Sequence, residues 1–331
     1  MRNSISLQTT KFNYLKISIL TICFILIATL TLTVDADGIS YTSYLYWKQI
    51  LTIILGSFSL GIATYLLQEM TNNKLADTSI LGIGNINLIV AIFLTLNFNV
   101  SNLVESQNFL TKNSIFFMFF SIAITIIIYL LSKYKSNINK NKMIIIGVVL
   151  NFCLIGTYYG LINLVPANKK NYIDVYLNGG VFILSELQYI FGFVMLFICI
   201  LLIFLNKSKM HILFTNKQIA ITLGINPNRI YIFTLLMIGI LTGISFYSLG
   251  NVVLLGLIAS SISSMLFKRN YKFSIISSGV IAAIFLNLSF YLVSLISSIY
   301  PKISGLEIYF FPIIGIPYFI FIATKKDVMF K

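Results

Sequence analysis

The groups most apt for chemistry in this chain are one histidine, His211, and three cysteines, Cys23, Cys153 and Cys199, spread over 331 residues. Zinc sites gather such ligands at short spacings, and a nucleophile needs a base within hydrogen-bonding reach. Here the cysteines are scattered through apolar runs, and the histidine lies in a basic stretch with no second ligand beside it. A metal site, a disulfide framework, a resident cofactor and a nucleophile–base pair are therefore not expected. No G-x-x-x-x-G-K-[ST] phosphate loop occurs, so any work driven by ATP would be powered on another chain.

The carboxylates fall between the apolar runs or near their ends. Glu69 lies near the end of one run and Asp77 in the turn after it. Ion-coupled carriers commonly keep a carboxylate within a span. Its absence weighs against the alternative reading, an ion-coupled secondary transporter or channel. A membrane-embedded enzyme would need a polar catalytic cluster at one interface, and none is found.

The elements that must position any function are apolar. The chain is 58% hydrophobic and 10% charged, with a mean hydropathy of +0.94. A soluble domain carries about 25% charged residues. Each crossing of a bilayer takes roughly 20 apolar residues. Ten segments are read, at about 15–34, 49–70, 79–97, 114–132, 143–165, 188–206, 230–248, 250–267, 274–297 and 308–324. The first is kept as an uncleaved span. The boundary at residues 247–251 is either a surface turn or a break within the bilayer.

A net charge of +14 would suggest nucleic acid if it formed one basic face. Instead the basic residues lie between the apolar segments. With the N-terminus inside, 18 of the 23 Lys and Arg fall on the inner side and most of the acids on the outer. That asymmetry predicts both termini in the cytoplasm and an even number of spans. Two longer loops, near 166–187 outside and 207–229 inside, stand out, because long loops in compact chains tend to be functional. The inner one predicts a short surface helix and a turn closed by Gly224 and Pro227.

The run from Gln68 to Gly82 resembles the Q-x-x-x-x-N-P-L-A-[DE]-P-x-x-L-G signature of the FecCD family, through Gln68, Asn73, Leu75, Ala76, Asp77, Leu81 and Gly82. Lys74 and Thr78 stand where the family has proline. Ala220-Ile221-Thr222-Leu223-Gly224-Ile225-Asn226 resembles the family's A-x-x-L-G-[IV]-[ND] segment. Gly250, Gly256 and Leu257 match a G-x-I-x-F-[VI]-G-L run, and Gly315-Ile316-Pro317-Tyr318-Phe319 matches a closing G-x-P-x-F.

The resemblance implies an all-α, polytopic permease of about ten transmembrane helices with the ABC type II importer fold, forming one domain over residues 1–331. It implies import of an iron–siderophore, haem or cobalamin across a bacterial cell membrane. A cytoplasmic ATP-binding subunit and an extracellular substrate-binding lipoprotein would be the partners. Ala220, Leu223, Gly224, Ile225, Asn226 and Pro227, within a segment of about 207–229, would couple to the ATPase. Ala220, Leu223 and Ile225 would enter its groove. Lys48, Lys169 and Lys170 would receive the binding protein. Asn151, Ser57, Ser59, Thr64 and serines within 260–264 are candidates for lining the path. The family's R-x-P-R and P-H-x-x-R motifs align with Tyr46-Trp47-Lys48-Gln49 and Ser260-Ser261-Ile262-Ser263-Ser264. These departures favour a heterodimer with a second, more typical permease chain.

Overall fold

In the computed structural model of the chain, which describes residues 2–33, 40–97, 114–134, 137–267, 270–299 and 317, nearly all the backbone is helical. Lipid demands this, because each backbone polar group must find its partner within the protein. The helices are α1 (Arg2–Thr33), α2 (Ser40–Thr71), α3 (Ile83–Leu96), α4 (Ser114–Ser132), α5 (Lys140–Ile162), α6 (Ala167–Asn178), α7 (Glu186–Thr215), α8 (Lys217–Thr222), α9 (Pro227–Leu249), α10 (Leu255–Leu266) and α11 (Tyr271–Ile299). A two-residue antiparallel pair, β1 (Lys133–Tyr134) with β2 (Asn137–Ile138), joins α4 to α5.

Among the described residues seven helices are long and apolar enough to cross a membrane, with α3 and α10 as shorter apolar helices. Together they coincide with nine of the ten expected segments. The tenth, 308–324, lies outside the described residues apart from Pro317, and so does the rest of the closing motif.

The core forms where α2, α4 and α9 pack together, with α10 and α11 on the other flank of α2. Small residues let these helices approach closely. On α9 a Cβ at Gly239 would lie 3.0 Å from the Ile122 Cα, and one at Gly243 would lie 2.6 Å from the Met118 Cα. This Gly-x-x-x-Gly pair seats α9 directly on the backbone of α4. Between α10 and α11 the contact is made by hydroxyls: Ser263 Oγ donates to the Ser274 carbonyl at 2.8 Å and lies 2.6 Å from Ser277 Oγ. The first half of α1 is tied to the same corner, where Lys16 Nζ donates to the Leu266 carbonyl at 2.7 Å.

The connection at 166–187, expected as an outer loop, is partly helical and partly buried. Tyr176 of α6 sits with its ring centroid 4.6 Å from Phe182 and 5.8 Å from Phe117. Burial raises its phenol well above the ordinary tyrosine range. The extended stretch after α6 then runs against the end of α9. There Gly180 N–H donates to the Leu249 carbonyl at 2.9 Å, and Phe182 N–H to the Ser248 carbonyl at 3.2 Å. These bonds satisfy carbonyls that the end of α9 would otherwise leave orphaned. Ser185 and Gln188 form a capping box where α7 begins.

Between α9 and α10 the chain breaks inside the protein, with residues 248–250 buried. Gly250 takes φ 71°, and a Cβ there would sit 2.8 Å from the Tyr176 carbonyl, so glycine meets both a backbone and a space requirement. At 12 residues, α10 is about 18 Å long and too short to cross a hydrocarbon core of about 30 Å alone.

Candidate functional site

Residues 72–82 fold into a turn that plugs back into the bundle, built by the polar residues of the family-like run. Asn73 Oδ1 accepts from Leu75 N–H at 2.9 Å, and Gln68 Nε2 donates to the Lys74 carbonyl at 2.8 Å. Ala76 and Leu81 are buried, Leu75 is half-buried, and Leu81 packs onto Gly147 of α5. Gly82 precedes α3 at φ 79°, against the Asn151 backbone.

The two residues that replace prolines each make a bond. Lys74 Nζ forms a 2.7 Å ion pair with Glu69, both side chains largely buried. Thr78 N–H donates to Asp77 Oδ1 at 2.8 Å, which a proline could not do.

Asp77 lies in this turn between two spans, as expected, yet its side chain is buried inside the protein. It is only 2% exposed. Its Oδ1 also accepts from the Thr64 hydroxyl at 3.4 Å, and its Oδ2 accepts from the Ser79 hydroxyl at 2.8 Å and from Leu254 N–H at 3.4 Å. Leu254 caps the start of α10 at φ 68°. The carboxylate therefore joins the α2–α3 turn to the break between α9 and α10, where the positive end of the α10 dipole favours negative charge. A cavity of about 30 Å³ lies alongside, with Thr78, Ser79, Thr242, Ser245 and Asn251 in its wall; by volume it has room for about one or two waters.

The connection at 207–229, expected on the inner side, is also more helical than expected. At 30 residues, α7 is about 45 Å long, longer than a hydrocarbon core of about 30 Å. Asn216 ends α7 and starts α8, its Oδ1 accepting from Gln218 N–H at 2.9 Å and from Ile219 N–H at 3.2 Å. The far end of α8 closes with Gly224 at φ 74°, where Gly224 N–H bonds the Ile221 carbonyl and Ile225 N–H bonds the Ala220 carbonyl, each at 2.9 Å. This is the paired closure typical of a glycine-terminated helix. Asn226 then caps α9, accepting from Asn228 N–H at 3.1 Å, with Pro227 in the first turn.

The apolar residues of α8 are divided differently from the expectation. Ala220 is fully buried in its own chain and Ile225 is half-buried. Leu223 is 62% exposed, and Ile219 and Ile221 are 52% exposed each. The outward apolar set is thus Ile219, Ile221 and Leu223.

The basic residues at the opposite end are separated. Lys48 lies on α2 and its carbonyl accepts from Tyr189 OH at 2.7 Å. Lys169 and Lys170 lie in the first turn of α6, and Lys169 Nζ donates to the Thr95 carbonyl at 3.1 Å, anchoring α6 to the end of α3. All three are half-buried.

Most of the expected path-lining residues face inward. Ser57 and Ser59 bond back to carbonyls of α2, Thr64 reaches Asp77, and the serines of α10 are buried. Asn151 accepts from Asn85 Nδ2 at 2.5 Å and lies on α5, a helix largely uncovered by the rest of the chain. His211 lies on the last turns of α7, its ring 5.5 Å from that of Tyr271.

Compared with known proteins, residues 14–325 match the FecCD transport family. A siderophore transport system permease protein of Bacillus subtilis is 25% identical over 283 residues, covering 84% of this chain and 79% of that one. A petrobactin import system permease protein of the same organism is 21% identical over 268 residues, covering 81% of this chain and 84% of that one. A solved structure of a metal-chelate type ABC transporter, in an inward-facing conformation, superposes with a TM-score of 0.78 at 17% identity, over 96% of this chain and 99% of that one.

Proposed function

The chain belongs to the FecCD transport family, and from that premise we propose that it imports an iron–siderophore, or a related iron or haem complex, into the bacterial cytoplasm as the membrane-spanning permease of an ABC importer. ATP is hydrolysed on a separate cytoplasmic subunit, and the whole chain acts as one permease domain with both termini in the cytoplasm. The observation that carries the reading is the outward apolar set on α8. Three large apolar side chains stand exposed on a short helix that is capped at both ends by its own residues. Such a patch at a membrane surface marks an interaction site, and an ATPase groove is the occupant that fits a transporter without its own phosphate loop. Gly224, Asn226 and Pro227 shape the turn that holds α8 in place, and the turn built by Gln68, Asn73, Leu75, Ala76, Asp77, Leu81 and Gly82 ties the α2–α3 connection to the start of α10.

The extracellular binding protein docks at the opposite end, near Lys48, Lys169 and Lys170, where each exposed ion pair would contribute about 0–1 kcal/mol. A second permease chain completes the path, and the departures from the family's two basic motifs favour a different chain over a copy. The uncovered face of α5, with Asn151 half-buried and open space at Gly156 and Gly160, is the side we assign to the path.

Two measurements test the reading. The chain should co-purify with an ATP-binding subunit. Deleting it should abolish cellular uptake of radiolabelled iron from ferric petrobactin or haem. Unchanged uptake of both, with no ATPase bound to the chain, would remove the proposal.

A further inference from the structure

At the end of the bundle that carries α8, one side chain joins three elements. Asn72 follows the last residue of α2 in the left-handed region, at φ 53°, where asparagine is among the few side chains tolerated. Its amide takes the orientation that its neighbours' donors and acceptors require. The nitrogen then donates to the Glu69 carbonyl at 3.0 Å and to the Phe214 carbonyl at 3.2 Å, while the oxygen accepts from Lys140 Nζ at 3.1 Å. Glu69 belongs to the last turn of α2, Lys140 is the first residue of α5, and Phe214 lies two residues before Asn216, the residue that caps α8.

The Phe214 ring is itself held. It is 3% exposed, with its centroid 6.1 Å from that of Tyr231 on α9 and 6.5 Å from that of Tyr271 on α11. The Glu69–Lys74 ion pair braces the turn on the other side of Asn72. A residue that only closed α2 would need the local bond to Glu69 and nothing more. Asn72 spends its other two bonds on the root of α8 and the start of α5.

We infer that Asn72 is a positioning residue for transport, carrying displacement of α8 to the inner ends of α2 and α5. Hydrogen bonds weaken steeply with distance and angle. When Phe214 shifts with α8, Asn72 must follow or lose its partner, and Lys140 is drawn with it. The inference rests on the proposed ATPase docking at α8.

Asn72→Gly is the informative variant, because glycine keeps the left-handed backbone while removing all three side-chain bonds. The reporter is the maleimide labelling rate of a thiol placed by Asn141→Cys at the exposed start of α5. Cys23 and Cys153, both exposed, are replaced by serine, and buried Cys199 is retained. In the purified complex with its ATPase, a non-hydrolysable ATP analogue should change the labelling rate roughly five- to thirty-fold, the scale of one or two hydrogen bonds. With Asn72→Gly that response should vanish while ATPase capture and basal hydrolysis persist and the melting temperature falls by no more than roughly 8 °C. Lys140→Met, which cuts only the α5 leg, should also abolish it.

A full nucleotide response in both variants would overturn the relay. So would a wild-type chain whose α5 label ignores nucleotide, or variants that lose the response only by losing the fold. A wild-type chain that captures no ATPase would instead sink the docking assignment beneath it.

Discussion

Asp77→Ala is the sharpest perturbation of the fold. The carboxylate accepts two short bonds, from Thr78 N–H and the Ser79 hydroxyl at 2.8 Å each, and two long ones, from Thr64 and Leu254 at 3.4 Å each. A net hydrogen bond contributes about 0.5–1.5 kcal/mol, so the short pair accounts for roughly 1–3 kcal/mol. The long pair adds less, because strength falls quickly beyond ordinary bond length. Alanine also strands buried donors, including the backbone N–H that opens α10. The expected loss corresponds to a fall in melting temperature of roughly 2–12 °C. With the exposed Cys23 and Cys153 replaced by serine, Cys199, 1% exposed, supplies the assay, since a thiol-reactive dye gains access to it only as the detergent-solubilised chain unfolds. Asp77→Asn keeps one acceptor oxygen but turns an NH₂ toward donors, so it should fall between the wild type and Asp77→Ala. An alanine variant melting as high as the wild type, or an asparagine variant worse than alanine, would refute the role assigned to this carboxylate.

Leu223→Asp should leave melting unchanged, because the side chain is 62% exposed, yet abolish co-purification of the ATPase and substrate-stimulated hydrolysis; normal uptake in that variant would detach α8 from coupling. Gly243→Leu drives a side chain into the Met118 backbone of α4 and should cost more than the roughly 1–3 kcal/mol typical of overpacking; a monodisperse variant with unaltered melting would show that α9 and α4 do not meet there. Asn287 is fully buried on α11 with neither amide atom hydrogen-bonded among the described residues. Asn287→Leu should therefore raise stability by about 1–3 kcal/mol, measured as a higher melting temperature, and a fall would mean that the amide has a partner.

The spans are legible in the sequence because lipid-facing and core-facing positions are both apolar, so hydropathy alone marks them. The ends of α8 are equally legible: Asn216, Gly224, Asn226 and Pro227 act locally, through bonds two to five residues long. What escapes is whatever depends on partners far along the chain. Asp77 reads as a surface turn residue because three of its partners are close in sequence. The fourth, Leu254, which places it inside, follows some 180 residues later. The 166–187 connection reads as a loop because Tyr176 and Phe182 look like isolated aromatics until α9 and α4 bring Phe246 and Phe117 against them. The Gly239/Gly243 spacing on α9 is a signal that a small-residue search would have found. In α5 the same spacing, at Gly156 and Gly160, meets nothing within 4 Å, so the pattern alone does not reveal which helix is paired within the chain. Ala220 and Ile225 are misdirected for a related reason: the motif names which residues matter on α8, but only packing decides which of them point inward.

The stretch after α6 also constrains how the protein is made. Gly180 and Phe182 bond to Leu249 and Ser248, residues that leave the ribosome roughly 70 positions later, about 4–14 s at ordinary elongation rates. Until then this stretch has no acceptor in the bundle and stays hydrated outside the hydrocarbon layer. Its seating must follow the synthesis of α9, which makes the arrival of α9, and not the emergence of α6, the event that closes this end of the bundle.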